Sequence, residues 1–232
     1  MTIKAVDPAN VGMVEMKLDR AEFDQFETGV EDNPDTDEIV LGLNLKNFTS
    51  QVKDIADEPV DDDEQTLHVE LDEDFRKLSI WAVPGSMEFT TALIDPDSIR
   101  EEPDIPNMDL PASLQIMSSY MDHAVKTAKK YSEHITLGMN NDDDTFYMSA
   151  EGDTDDWSAI LDSDHMSVQS LATAEVASIF SLEYFDDVRK GIPKNVPVKM
   201  EMGQEFPVRI MFDFLDSNAS VTYMIAPRIQ SD

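Results

Sequence analysis

An internal duplication restricts the folds open to this chain more than any other feature of its sequence. A strand followed by an amphipathic helix is predicted over residues 39–55, and a matching strand and helix over residues 179–192. Two alternating strands follow each pair, at residues 67–71 and 78–83 in the first copy and at residues 198–202 and 208–212 in the second. The period of the repeat is well above a hundred residues. A period of this length is typical of two copies of one domain rather than of a solenoid. We therefore predict an α+β fold of two similar domains, each built of β-sheets with short helices on one face.

A proline-rich segment separates the two copies. Residues 95–111, DPDSIREEPDIPNMDLP, contain a cluster of the chain's 12 prolines. Because proline fixes φ and lacks a backbone donor, this segment is predicted to be an extended connector rather than a helix or a central strand. The predicted organisation is an N-terminal domain at residues 1–95, a connecting loop at residues 96–111 and a C-terminal domain at residues 112–232.

The net charge is the strongest compositional signal. The 232 residues include 49 Asp and Glu against 17 Lys and Arg, a formal net charge of −32. Such a surface is typical of adaptation to molar salt, where a Debye length of roughly 3 Å screens self-repulsion. An acidic disordered protein and a carboxylate-rich metal binder are the alternatives, but regular strand and helix patterns fill the chain. The chain has no cysteine, which excludes disulfides and thiolate sites and fits a cytoplasmic protein.

Motifs for catalysis or cofactor binding are missing from the sequence. It has no phosphate-binding glycine loop, no nucleophile elbow and no histidine pair at metal-ligand spacing. The acidic runs at residues 61–64, 142–144 and 153–156 lack the glycine and glutamate of a calcium loop, and are interpreted as solvated turns. No stretch approaches the roughly 20 apolar residues of a membrane span. The sequence therefore predicts no catalytic residue, no metal site, no cofactor and no membrane contact.

Three predicted helices collect basic residues on the side opposite their apolar face, when residues are placed about 100° apart around the helix. An ordinary solvated face would explain any one of these helices. Three of them, in a chain this poor in lysine, favour contact with the phosphate backbone of a nucleic acid. The candidate DNA-binding residues are Lys46, Lys53, His123, Lys126, Lys129, Lys130, Arg189 and Lys190.

Four segments resemble the sliding clamps of the proliferating cell nuclear antigen (PCNA) family, especially those of haloarchaea. They are residues 3–18 (IKAVDPANVGMVEMKL), 92–106 (ALIDPDSIREEPDIP), 180–193 and 222–232 (TYMIAPRIQSD), whose A-P-[KR]-I ending is fairly specific. The resemblance implies a processivity factor without enzymatic activity, which encircles double-stranded DNA as a head-to-tail homotrimer. It also implies clients with short clamp-binding peptides, namely DNA polymerase, the clamp loader, flap endonuclease and DNA ligase.

The resemblance further implies two protein interfaces. The strand before the connector should pair with a second-domain strand of the neighbouring subunit, and both are alternating segments suited to a sheet edge. The residues of this subunit interface are Met87, Phe89, Thr91, Leu93, Trp157, Ala159 and Leu161. Client peptides should dock between the connector and the C-terminal strand, on Val11, Met13, Ile105, Pro106, Pro207, Ile225, Ala226, Pro227 and Ile229.

The match departs from the family at its start. Family members begin with a strand, a helix and another strand ahead of the segment that matches Ile3. The first domain is therefore expected to have one channel helix, at residues 46–55, and an unpaired sheet edge. Two interpretations from other classes stay open, an acidic metal-dependent nuclease or phosphoesterase and a halophilic binding module that never forms a ring.

Overall fold

The computed structural model describes residues 1–27, 39–60, 65–72, 74, 76–99, 110–140, 145–162, 164–170 and 176–228. These residues form antiparallel sheets and short helices, so the predicted α+β class is confirmed. The strands are β1 (Thr2–Val6), β2 (Gly12–Leu18), β3 (Thr66–Leu71), β4 (Lys77–Val83), β5 (Glu88–Ala92), β6 (Ala112–Met117), β7 (His134–Asn140), β8 (Thr145–Glu151), β9 (Asp156–Leu161), β10 (Met166–Ser170), β11 (Val176–Ser181), β12 (Pro197–Met202), β13 (Val208–Phe214) and β14 (Ala219–Ile225). The α-helices are α1 (Leu45–Ala56), α2 (Ser118–Ala128) and α3 (Leu182–Gly191).

The chain divides by packing into two compact units. The first unit contains Met1–Phe26 and Pro103–Asp232, and the second contains Glu27–Glu102. The first holds a seven-stranded sheet in the order β1-β2-β14-β13-β12-β6-β10 and a four-stranded sheet in the order β11-β7-β8-β9. The second holds a three-stranded sheet in the order β3-β4-β5.

The order of the elements shows the duplication. The series β1, β2, α1, β3, β4 and β5 occurs again as β8, β9, α3, β12, β13 and β14. The compact units cut across this repeat, because the β1–β2 hairpin pairs with β14, from Gly12↔Ile225 to Leu18↔Ala219. The division at residues 1–95, 96–111 and 112–232 follows the repeat rather than the packing, and it stays a prediction.

One predicted strand is wrong in extent. Ahead of α1, the expected strand is a single antiparallel bridge between Gly42 and Ile94. Its counterpart β11, ahead of α3, pairs with β7 along its whole length. Among the described residues, the second unit has no strand in the place that β7 occupies. A strand needs a partner for its backbone groups, so only the bridge forms here.

The two copies differ in how well their sheets are covered. Leu67 and Val69 of β3 lie on the same face as the buried residues of β4, yet they are 43% and 51% exposed. The strand β12, which corresponds to β3, buries its inward residues Val198 and Met200, which are 0% and 1% exposed. The difference arises because β12 is flanked by β6, whereas β3 pairs only with β4 among the described residues.

Helix boundaries follow from local chemistry. The Asn44 side chain caps α1 by accepting the Asn47 N–H at 3.1 Å. α2 and α3 instead begin directly where β6 and β11 end, with no side-chain cap. The apolar faces of α2 and α3 supply Met121, Val125 and Phe185 to the core of the first unit. Their other faces are left free for the polar groups considered below.

Candidate nucleic-acid and protein interfaces

Helices α2 and α3 are joined by ion pairs between basic and acidic side chains. Lys126 Nζ lies 2.6 Å from Asp122 Oδ2 on the same helix, α2. Arg189 of α3 places Nη1 3.0 Å from Asp122 Oδ1 and Nε 2.8 Å from Asp186 Oδ1. Lys129, directly after α2, places Nζ 2.6 Å from Asp186 Oδ2 of α3. The pairs therefore alternate between the two helices and connect them.

Asp186 is the centre of this network. Its buried side chain accepts hydrogen bonds from Lys129 and Arg189 and lies 3.1 Å from Lys190 Nζ. The hydrogen bond from Lys129 is the largest cause that holds the pKa of Asp186 far below its usual value. Lys190 and Arg189 act in the same direction and together outweigh desolvation. The carboxylate is therefore ionised at neutral pH and neutralises part of the positive charge around it.

This network changes what the predicted basic face presents to a ligand. Each of the residues Lys126, Lys129, Arg189 and Lys190 has a carboxylate partner, and the nearest partner of Lys190 is Asp187 at 2.9 Å. Three other predicted residues have no ion pair with any described residue, and all three are exposed: Lys46, Lys53 and Lys130. His123 is also exposed, on α2. The pairs of Lys126 with Asp122 and of Lys190 with Asp186 have the i,i+4 spacing of a single helix. The pairs that cross between the helices cannot be read from either helix alone.

The predicted DNA-binding residues are divided between the two units. Lys126, Lys129, Lys130 and His123 lie on or directly after α2, next to Arg189 and Lys190 of α3. Lys46 and Lys53 lie on α1 of the second unit. That all eight residues face one channel stays a prediction.

The acidic runs give no support to a metal-dependent enzyme. In the described part of the chain, no group of three or more His, Asp or Glu side chains is arranged to hold a metal ion. Of the three runs, residues 153–155 lie in the turn between β8 and β9 and Asp156 begins β9, whereas residues 61–64 and 142–144 lie outside the described residues. Within the same described ranges, no helix is long and apolar enough to cross a membrane.

Several predicted client-binding residues lie at one edge of the seven-stranded sheet. Val11 directly precedes β2, Pro207 directly precedes β13, and Ala226 directly follows β14. Since β2, β14 and β13 are adjacent and antiparallel, these three chain ends meet at the same edge. The Ala226 N–H donates to the Val11 carbonyl at 2.8 Å and ties two of them together.

The remaining client-binding residues are placed less uniformly. Met13 is half-buried within β2, and Pro227 continues the chain beyond Ala226. Ile225 is 1% exposed, so its side chain belongs to the core rather than to the surface. Ile105, Pro106 and Ile229 lie outside the described residues. Phe206, an exposed aromatic side chain directly before Pro207, is not among the predicted residues. Its place ahead of a proline in a polar turn is the signal that would add it to the candidate site.

The two strands of the predicted subunit interface are both edge strands of their sheets. β5 ends the order β3-β4-β5, and β9 ends the order β11-β7-β8-β9. The predicted interface residues occupy alternate positions, and four of them face inward. Phe89 and Leu93 pack on the core of the second unit, and Trp157 and Leu161 on that of the first. Met87 is exposed, and Thr91 and Ala159 are half-buried.

Other residues of these strands hold the free backbone groups. The Leu93 N–H donates to the Arg76 carbonyl on the β4 side, so the groups of Glu88, Thr90 and Ala92 point to the open edge of β5. A pattern of apolar side chains does not identify these residues. In a strand, the face of the side chain and the direction of the backbone groups both alternate with a period of two.

Comparison with known proteins identifies the class to which this arrangement belongs. No protein-family model matches the chain. The DNA polymerase sliding clamp of Natronomonas pharaonis is 46% identical over 232 residues, covering 100% of this chain and 87% of that protein. The DNA polymerase sliding clamp of Haloarcula marismortui is 45% identical with the same coverage.

Solved structures agree with the sequence comparison. A. fulgidus PCNA, bound to the C-terminal region of FEN-1, has a TM-score of 0.81 and 26% identity, covering 99% of this chain and 85% of that one. PCNA from Thermococcus kodakaraensis shares the fold, with a TM-score of 0.79 and 20% identity over 98% of this chain and 86% of that one. The fold is that of a sliding clamp. The chain belongs to the PCNA family of DNA sliding clamps and is similar to its haloarchaeal members, and neither alternative class is supported.

Proposed function

We propose that this sliding clamp assembles as a head-to-tail trimer that encircles double-stranded DNA and tethers replication proteins to it, without catalysing a reaction itself. Such a clamp acts in the cytoplasm, where archaeal DNA is replicated. One observation carries the proposal. β2 and β14 pair within the chain, whereas the strands that correspond to them in the repeat, β9 and β5, each have one edge without a partner strand among the described residues.

The repeat relates the open edges to the closed pair. β2 of the first copy corresponds to β9 of the second, and β14 of the second copy corresponds to β5 of the first. β2 and β14 pair along seven residues of each strand. Among the described residues β9 pairs only with β8, and β5 only with β4. Two copies of the chain therefore complete each other if β5 of one pairs with β9 of the next.

The closed pair also supplies a register for the open one. The Ala226 N–H donates to the Val11 carbonyl, so the odd-numbered residues of β2 direct their backbone groups toward β14. Glu15 pairs with Thr222 at the middle of this ladder. Transferred through the repeat, Glu15 corresponds to Ser158 and Thr222 to Thr90. The proposed intersubunit ladder is therefore centred on the pair Thr90↔Ser158.

DNA contact is supported by the basic residues of the three helices. Since contact with phosphates needs charge but no base recognition, it suits a protein that moves along any sequence. The exposed cations Lys46, Lys53 and Lys130 carry uncompensated charge in a chain with a net charge of −32. The paired residues around Asp186 contribute less net charge.

Client binding is supported by the edge formed by Val11, Pro207 and Ala226. A. fulgidus PCNA binds the C-terminal region of FEN-1. We propose that flap endonuclease, DNA polymerase, DNA ligase and the clamp loader reach this chain through similar short peptides. An apolar site suits molar salt, because screening weakens charge pairing while apolar burial is retained.

The function is tested by primer extension in molar KCl. We expect the clamp, added with its clamp loader, to lengthen the products of a haloarchaeal DNA polymerase on primed circular DNA. On linear DNA with free ends the effect should be lost, because a ring held only by topology slides off. Equal stimulation of both templates would show that the protein is retained by direct binding and does not encircle DNA.

The client site is tested by placing a charge at its edge. In Ala226→Asp we expect a fluorescent peptide from a haloarchaeal FEN-1 C-terminal region to bind at least about tenfold more weakly, as loss of one apolar anchor predicts. Fluorescence anisotropy in about 3 M KCl, a salt level at which charge repulsion is screened, measures the affinity. Ala21→Asp adds the same charge at an exposed position and should bind normally. If the two variants bind the peptide with equal affinity, the client site does not lie at this edge.

A further inference from the structure

One carboxylate organises the turn between β1 and β2. Asp7 Oδ1 accepts the N–H groups of Val11 at 2.6 Å and Gly12 at 2.7 Å, and Oδ2 accepts the Ala9 N–H at 2.9 Å. The backbone closes the same turn, with the Asp7 N–H donating to the Gly12 carbonyl at 2.9 Å. Asn10 takes the left-handed conformation that the turn requires, with φ of 58°.

Tyr184 supplies a fourth donor to this carboxylate from a distant part of the chain. Its Oη lies 2.8 Å from Asp7 Oδ2, and 177 positions separate the two residues. The Tyr184 ring packs directly on Gly12, where an added Cβ would lie 2.9 Å from Cδ1. Glycine at this position therefore permits the contact. The turn of the hairpin is fixed on the first part of α3 by a hydrogen bond and by packing.

The pKa values of Asp7 and Tyr184 are shifted in the directions that a hydrogen bond between them produces. Desolvation opposes it, but the hydrogen bonds from Gly12 and Tyr184 leave the pKa of Asp7 below its usual value. The hydrogen bond to Asp7 raises the pKa of Tyr184. At neutral pH Asp7 is thus a carboxylate that accepts, and Tyr184 a neutral hydroxyl that donates.

The same turn leads into the proposed client site. The Val11 N–H is held by Asp7, and the Val11 carbonyl accepts the Ala226 N–H at 2.8 Å. Val11 is therefore fixed from two directions, by the turn and by the chain that follows β14. A continuous series of hydrogen bonds runs from the Tyr184 hydroxyl through Asp7 and Val11 to Ala226.

We propose that Tyr184 is a positioning residue for client peptides, which holds the Asp7 turn so that Val11 and Ala226 present one fixed apolar surface. Tyr184 acts through Asp7. This role rests on the proposed client site and names a residue that determines its shape. A site fixed before binding loses less conformational freedom when a peptide docks, which raises affinity.

The test removes one oxygen atom. In Tyr184→Phe we expect the FEN-1 peptide to bind about tenfold more weakly, the effect of losing one hydrogen bond to a charged group. The oligomer mass should be unchanged. Tyr131→Phe removes an exposed hydroxyl that follows α2 and should bind the peptide normally. A lower thermal stability with unchanged affinity at 25 °C would mean that Tyr184 is only structural, and would overturn the proposal.

A double-mutant cycle tests whether Tyr184 acts through Asp7. Asp7→Ala alone should lower the affinity for the peptide, and adding Tyr184→Phe to it should cause little further loss of affinity. If the two substitutions reduce peptide affinity independently, so that their factors multiply in the double variant, then Tyr184 does not act through Asp7. If Ala226→Asp abolishes binding but Tyr184→Phe does not, the client site stands and the positioning role fails. If neither variant weakens binding, the client site itself fails.

Discussion

Ser158→Pro is expected to convert the proposed trimer to single chains. Ser158 is an exposed residue at the middle of β9, and the repeat places its backbone N–H on the open edge, as for Glu15 in β2. Proline removes that N–H and puts its ring into the proposed ladder opposite Thr90. Pairing with β8 uses the alternate residues of β9 and should survive. Light scattering in about 3 M KCl, where self-repulsion is screened, should show a mass near 26.1 kDa.

A matched control separates the backbone group from the side chain. Ser158→Ala keeps the N–H and should remain a trimer, because the serine side chain is exposed on the monomer. Ile160→Pro removes the next outward N–H, and its side chain is 67% exposed, so it should also dissociate the ring. Circular dichroism should show the same sheet content in all three variants. A trimeric Ser158→Pro would exclude this strand as the interface.

Elements defined by one amphipathic segment could be predicted from the sequence. The helix expected at residues 46–55 forms as Leu45–Ala56, because its apolar positions recur at helical spacing and meet the sheet beneath. The β1–β2 hairpin could be predicted in the same way, since a turn sequence separates two alternating runs. In both cases neighbouring residues decide the outcome.

Pairings between distant segments could not be read from such patterns. The pairing of β2 with β14 joins the two ends of the chain, and nothing in either strand specifies its partner. The hydrogen bond between Asp7 and Tyr184 is equally distant. The pairs of Asp122 with Lys126 and of Asp186 with Lys190 have the i,i+4 spacing of a single helix and could be read from the sequence. The pairs of Lys129 with Asp186 and of Arg189 with Asp122 could not, because they form only where α2 approaches α3.

The network around Asp186 also decides how DNA contact is best tested. Reversing the charge of Lys129 would break its ion pair with Asp186 of α3. Reversing that of Lys126 would break its pair with Asp122, which also binds Arg189 of α3, so in both cases a loss of activity could come from disturbed packing. Lys46, Lys53 and Lys130 are exposed and have no carboxylate partner among the described residues. Their replacement changes charge at the surface and leaves the ion pairs intact. They are therefore the sharper probes of phosphate contact.

The triple variant Lys46→Glu, Lys53→Glu and Lys130→Glu is expected to lose most of its stimulation of DNA polymerase while it remains a trimer. Removing one lysine–phosphate ion pair makes the slope of log affinity against log salt shallower by roughly 0.9, so the deficit should grow as KCl is reduced. Primer extension on circular DNA is measured from molar KCl down to the lowest salt that keeps the trimer.

The control variant reverses three lysines on strands instead of helices: Lys4, Lys17 and Lys77. It has the same net charge as the variant at Lys46, Lys53 and Lys130, so general repulsion between an acidic protein and DNA is equal in both. Lys17 lies on the face of β2 opposite Val14 and Met16, which pack on the core, and Lys77 lies on the face of β4 opposite its buried residues. Lys4 and Lys17 lie 3.9 and 3.2 Å from Glu15, so the control also breaks two exposed ion pairs, and such pairs contribute little to stability. The remaining difference between the two variants is position on or directly after the helices. If both lose stimulation equally at every salt concentration, net charge alone explains the effect, and the helices do not contact DNA.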